Sequence, residues 1–277
     1  MLVNSRVMLQ EARRNGYAVP SPDFFNQTSL RAYIETAEAL DQPIIVAYSE
    51  AFRNTLSIEE AAWMGKYYAE KVQVPVALHV DHGFSTDFVK ACIDAGFTSV
   101  MIDASNQSLK ENIRITKEIV QYAHPHNVTV EAEIGHVGSG ENYESHEQTD
   151  SIYTEVEDAV LFAEQTSVDS LAVSIGTAHG NYRGTPILNF DRLRELRSAI
   201  PIPLVLHGGS GTGDANLKYC SDLGIAKINL FTDLVNSGVE FMKLAHTDDL
   251  IELTKASADG MKKMLQHYYN VFGRKED

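Results

Sequence analysis

The chain is 277 residues long and 44% apolar, with 18 glycines and 8 prolines, which suits one α/β domain of roughly 250 residues or two small ones. Lys plus Arg total 23 against 38 Asp plus Glu, a formal charge of −15, and an acidic chain without basic clusters argues against nucleic acid or an anionic membrane as partner. The two cysteines, Cys92 and Cys220, stand in no C-x-x-C pair and read as buried free thiols in a reducing compartment.

The opening stretch, MLVNSRVMLQEARRNG, has charges inside an amphipathic helical pattern, unlike a signal peptide. No apolar run nears the ~20 residues of a membrane span, so the expected location is the cytoplasm. Short β-branched runs then alternate with helical patterns. Strands are predicted at 17–20, 43–49, 75–81, 99–104, 128–134, 170–176, 203–209 and 227–232. Helices such as 29–40 and 57–71 carry apolar residues at three- and four-residue spacing. Proline stands at the start of several strands (Pro43, Pro75, Pro203), and Gly96 and Gly224 close helices.

The runs VALHV, LAVSI and PLVLH are almost wholly apolar, as expected of strands covered on both faces. Eight β-α repeats predict a single closed (β/α)8 barrel over 1–277, with extra helices after 232 that pack on the barrel or a partner subunit. An open doubly wound sheet is the alternative, but no G-x-G-x-x-G follows the first strand. The glycine-rich, polar stretch 135–152 reads as a lid-type loop.

Three histidines, His82, His179 and His207, each follow an apolar run and lie beside glycine or small residues. In a parallel α/β fold they share the ligand side, where three neutral imidazoles can hold a catalytic zinc with an open position. The alternative is rim histidines satisfied by hydrogen bonds. Asp81 and Glu133 occupy matching places. His79 lies two residues before Asp81 and points to the same side; it either orients Asp81 or packs the interior, and packing is the favoured reading. Gly208-Gly209-Ser210-Gly211 follow His207 and Asn229-Leu230-Phe231-Thr232 end the last strand, at the two positions where barrel loops cradle phosphate with backbone N–H groups.

Taken together, YAVP, HVDHG, SVMIDAS, VEAEIGHVGSGE, GTAHGNYRG, LVLHGGSG and KINLFTD resemble the class II, metal-dependent ketose-bisphosphate aldolases, from about residue 3 to residue 272. The resemblance implies zinc on His82, His179 and His207, with Glu133 and Asp103 as alternative ligands or supports. It implies Asp81 as the acid–base group on the C4 hydroxyl and Glu141, on the mobile loop, as the residue handling the carbon 3 proton. Ser49, Gly180, Gly208, Gly209, Ser210, Asn229, Leu230, Phe231 and Thr232 would take dihydroxyacetone phosphate, with a monovalent cation (Na+ or K+) near the phosphate. The implied substrate is a sugar phosphate, such as fructose or tagatose 1,6-bisphosphate, another ketose 1-phosphate or a deoxy-keto sugar phosphate. The implied assembly is a homodimer or homotetramer.

The chain departs from the family pattern in two places. Ser21-Pro22-Asp23 stand where relatives have Ala-Phe-Asn, and Asp248 to Leu253 lack the arginine found before the last helix, with Arg183 and Arg53 as other candidate cations. Two other functions compete. A lysine Schiff-base aldolase needs a desolvated amine in the site, and Lys227 is expected to begin its strand, away from the mouth. A non-catalytic sugar-phosphate-binding barrel is the other.

Overall fold

The computed structural model describes residues 1–135, 138–139, 153–179 and 185–273, with the side chains of 138, 139 and 179 left out. In chain order the strands are β1 (Val19–Pro22), β2 (Ile44–Ser49), β3 (Val76–Gly83), β4 (Ser99–Ile102) and β5 (Thr129–Ile134). They continue with β6 (Gly138–Ser139), β7 (Ser170–Val173), β8 (Ala178–His179), β9 (Leu204–Leu206) and β10 (Ile225–Leu230). Eight of them form one parallel sheet in the order β1-β10-β9-β7-β5-β4-β3-β2. Its two ends meet where Asp23 pairs beside Ala47 and the Phe24 N–H donates to the Ala47 carbonyl at 2.8 Å. This is the expected (β/α)8 barrel.

Local chemistry sets the helices between the strands. Capping boxes at Asn26–Ser29 and Ser57–Glu60 start the helices Gln27–Ala39 and Ile58–Ala69. Gly96, at φ +103°, ends the helix Thr86–Ala95 in the left-handed conformation that glycine adopts without strain. At the barrel's amino-terminal end, Val3 N–H donates to the Val76 carbonyl at 2.9 Å, ahead of the helix Arg6–Asn15. After β10 come the helices Thr232–Leu244 and Leu250–Phe272. Among the described residues, no helix is long and apolar enough to cross a membrane. Both cysteines are buried free thiols, as expected, and burial pushes Cys220 up to about 12.

Two strand bounds need correction. The first strand is β1 at Val19–Pro22, two residues beyond 17–20, and the last is β10 at Ile225–Leu230. Lys227 is therefore the third residue of its strand, not the first. His179, beyond β7, lies in the separate two-residue strand β8, which pairs with β6 in parallel. Strands of two residues carry no alternation for a sequence pattern to reveal.

Candidate active site

Adjacent residues on a regular strand point to opposite faces, yet Asp81 and His82 both serve the barrel mouth. The cause is local. The β3–β4 register shifts between Val80 and Gly83, and His82 sits at φ +47°, a conformation uncommon for a residue with a side chain. Such an irregularity re-aims a side chain, here placing the Asp81 carboxyl and the His82 imidazole on one side.

His207 is the first residue after β9, fully buried. Its Nδ1 lies 2.9 Å from His82 Nε2 and 3.9 Å from Asp81 Oδ1. Each imidazole is held from behind by a carboxylate. His82 Nδ1 is 2.8 Å from Asp103 Oδ2, while Asp103 Oδ1 accepts from Ser105 N–H and hydroxyl at 3.0 and 2.7 Å. His207 Nε2 is 2.9 Å from Glu131 Oε1. With the outer nitrogens donating to these carboxylates, the two inner nitrogens face one another, an arrangement that calls for a cation between them or a shared proton. Burial works against charge at His82, but Asp81, Asp103 and Glu133 outweigh it and raise its imidazolium to about 10. The donor set fits a divalent metal, with Asp81–His82–His207 and His82–Asp103–Glu133 as two groups whose ligand atoms lie within 4.8 Å of one another.

Glu131 was not foreseen from the sequence, and behind it lies Lys227. The Lys227 ammonium donates to Glu131 Oε2 and Oε1 at 2.8 and 3.0 Å and to His79 Nε2 at 3.2 Å. His79 Nδ1 then meets the Ser99 hydroxyl at 2.8 Å. Burial, and then the Lys227 charge, hold His79 well below its ordinary value, so it stays neutral. His79 thus fills the interior, as the packing reading held, but through hydrogen bonds. Lys227 is tied to Glu131 and His79 in this interior layer and is not among the described residues that line the cavity, so the structure offers no basis for a Schiff-base enzyme at Lys227.

The mouth itself is a cavity of about 290 Å³. Asp81 Oδ1 accepts from Asn229 Nδ2 at 2.7 Å. Burial opposes its charge, but His82 and His207 win and hold Asp81 below the usual carboxylate range. Asp23 behaves in the opposite way: burial first, then the Asp81 charge, push it well above that range, and it hydrogen-bonds to Asp81 as the protonated partner. Asp23 and Asp81 are thus a carboxyl pair at the cavity wall.

The remaining wall is built from the ends of β2, β9 and β10. Ser49 ends β2 and accepts from Ala51 N–H at 3.4 Å. A Cβ at Gly209 would lie 2.5 Å from Ile228 Cγ2, and one at Gly208 2.3 Å from the Ala178 carbonyl oxygen; only glycine lets this strip lie so close. Ser210 Oγ accepts from Phe231 and Asp233 N–H at 3.2 and 3.3 Å, tying the strip to the first turn of the helix Thr232–Leu244. Asp233 Oδ2 accepts from Gly211 N–H at 2.8 Å and also from the Tyr268 hydroxyl. Leu230, Phe231 and Thr232 complete the lining. Of the expected site residues, Glu141, Gly180 and the side chain of His179 lie outside the described residues, as does Arg183.

A carboxylate beside a metal-ligand pair, facing a glycine strip at the last two strands of a barrel, is the setting an aldol cleavage needs. The family model for class II fructose-bisphosphate aldolase matches residues 3–277. The chain belongs to that family. The aldolase is 37% identical over 273 residues to the Escherichia coli K12 protein YdjI, described as uncharacterized, with 99% of this chain and 98% of that one covered. It is similar to the solved YdjI aldolase of Escherichia coli K12, with a TM-score of 0.89 at 35% identity over 99% and 98% of the two chains. A fructose-bisphosphate aldolase from Campylobacter jejuni shares the fold, with a TM-score of 0.81 at 22% identity over 98% and 95%.

Proposed function

We propose that the aldolase reversibly cleaves a ketose phosphate to dihydroxyacetone phosphate and an aldehyde, using zinc. The observation that carries this reading is the ionised Asp81 carboxylate beside the facing His82 and His207 nitrogens, at the wall of a cavity floored by the Gly208–Ser210 strip. His82 and His207 would hold the ion together with His179, and Glu133 would offer a carboxylate beside them. Two or three imidazoles favour zinc over harder ions, with cobalt, iron or manganese as substitutes. When bound, the ion supplies Lewis-acid stabilisation of negative charge developing on the substrate's oxygens.

Asp81 removes the proton from the C4 hydroxyl in cleavage and returns it in condensation. Asn229, donating to Oδ1, fixes the carboxylate for that transfer. Glu141 would carry the carbon 3 proton. Backbone N–H groups of the glycine strip and of Thr232 at its helix start would hold the phosphate, with a monovalent cation alongside.

A chelator is expected to abolish triose phosphate release and zinc to restore it; full activity in metal-free enzyme would refute the zinc assignment. Asp81→Asn is expected to keep metal while turnover falls by about 10²-fold or more. Metal content by elemental analysis, read beside kcat, separates the two roles.

A further inference from the structure

The glycine strip accounts for one end of the cavity. Along the rim formed by β1 and β2 the described lining offers Asp23, Ser49 and Phe52, and Phe231, just after β10, adds its ring. Phe52 and Phe231 have ring centroids 5.5 Å apart, and Phe25 backs both at 6.2 and 6.1 Å. All three rings are half-buried, a wall suited to carbon and not to a solvated anion. Asp23 is nine-tenths buried, its Oδ1 has no hydrogen-bond partner, and its neighbour is the Asp81 carboxyl. No lysine or arginine lines the cavity among the described residues. Arg53, the nearest in sequence, is 62% exposed and faces Glu50 at 3.8 Å.

We propose that the aldehyde partner is an uncharged hydroxyaldehyde, so that the substrate is a ketose 1-phosphate with no second phosphate. This rests on the reading of dihydroxyacetone phosphate as the other product. A hydroxyl of the aldehyde donates to Asp23 Oδ1, which otherwise stays buried and unsatisfied. Its terminal carbon packs on the Phe52 and Phe231 rings. A phosphate in the same place meets a carboxyl pair carrying negative charge and, among the described residues, no basic side chain, the repulsive element that specificity requires.

The test is condensation of dihydroxyacetone phosphate with lactaldehyde, glyceraldehyde and glyceraldehyde 3-phosphate by the zinc-loaded full chain. In parallel, exchange of the donor's carbon 3 proton into heavy water is followed by NMR without any aldehyde. The uncharged aldehydes are expected to lead in kcat/KM by at least about tenfold, and Asp23→Ala, which removes the acceptor oxygen, to narrow that lead by a similar factor. A wild-type preference for glyceraldehyde 3-phosphate, or an unmoved ratio in Asp23→Ala, overturns the inference while exchange persists. Absence of exchange together with absence of condensation overturns the donor assignment, and the inference falls with it.

Discussion

Lys227 does its work at a distance from any substrate. Its ammonium is held by both oxygens of Glu131 and by His79 Nε2, and Glu131 in turn fixes the outer nitrogen of His207. Replacing it with Lys227→Met leaves a buried carboxylate without a counter-charge, expected to destabilise the protein by about 3–5 kcal/mol. The same change frees Glu131 to reorient, so affinity for the proposed zinc is expected to fall about 10–100-fold. Denaturant unfolding and chelator competition measure the two separately, and Lys227→Met/Glu131→Gln is expected to recover stability more than affinity. An unchanged zinc affinity in Lys227→Met would reduce the lysine to a structural ion-pair partner.

At the level of elements, the helix Leu250–Phe272 crosses Thr232–Leu244 with glycine at the contact. A Cβ at Gly260 would lie 2.3 Å from the Ser237 carbonyl oxygen, and the Ser237 hydroxyl donates to the Gly260 carbonyl at 2.7 Å. Gly260→Ala is therefore expected to cost about 1–3 kcal/mol through forced separation of the two helices, read as a lower urea midpoint. The strands were legible because the apolar runs and proline starts mark them. The polar interior was legible too, had the alternation been followed across strands. His79 and Asp81 in β3, Glu131 and Glu133 in β5, and Lys227 and Asn229 in β10 are each two residues apart in otherwise apolar runs. Such doublets point inward together: the first members meet in the buried ion-paired layer, while Asp81 and Asn229 meet at the mouth. The bulge that turns His82 had no such signal, since it depends on how β3 pairs with β4. The pairing of Glu131 with His207, from β5 and the end of β9, likewise required the barrel to close first.

For the whole molecule, the acidic composition has a focus. Asp81, Asp103 and Glu133 together hold the His82 imidazolium up to about 10 against an ordinary value of 6.5. A pKa raised on folding contributes stability that is complete below the unfolded value and disappears as pH climbs through the folded one. Metal-free protein is thus expected to lose this contribution between pH 6.5 and about 10. The proposed zinc would compete with that proton, so its affinity is expected to rise over the same interval. Thermal melts of chelator-treated protein across this range test the first point, with His82→Asn expected to flatten the slope. A profile equally steep in His82→Asn would assign the effect to other groups.

Tyr268 belongs to the last helix, yet its hydroxyl ends on the same Asp233 oxygen that receives Gly211 N–H beside the glycine strip. The carboxylate is a hub joining the tail of the polypeptide to the rim of the reaction chamber. Any event that tilts this terminal segment, whether a docking subunit or a fused tag, would reach the glycine strip through that phenol as well as through the helix contact at Gly260.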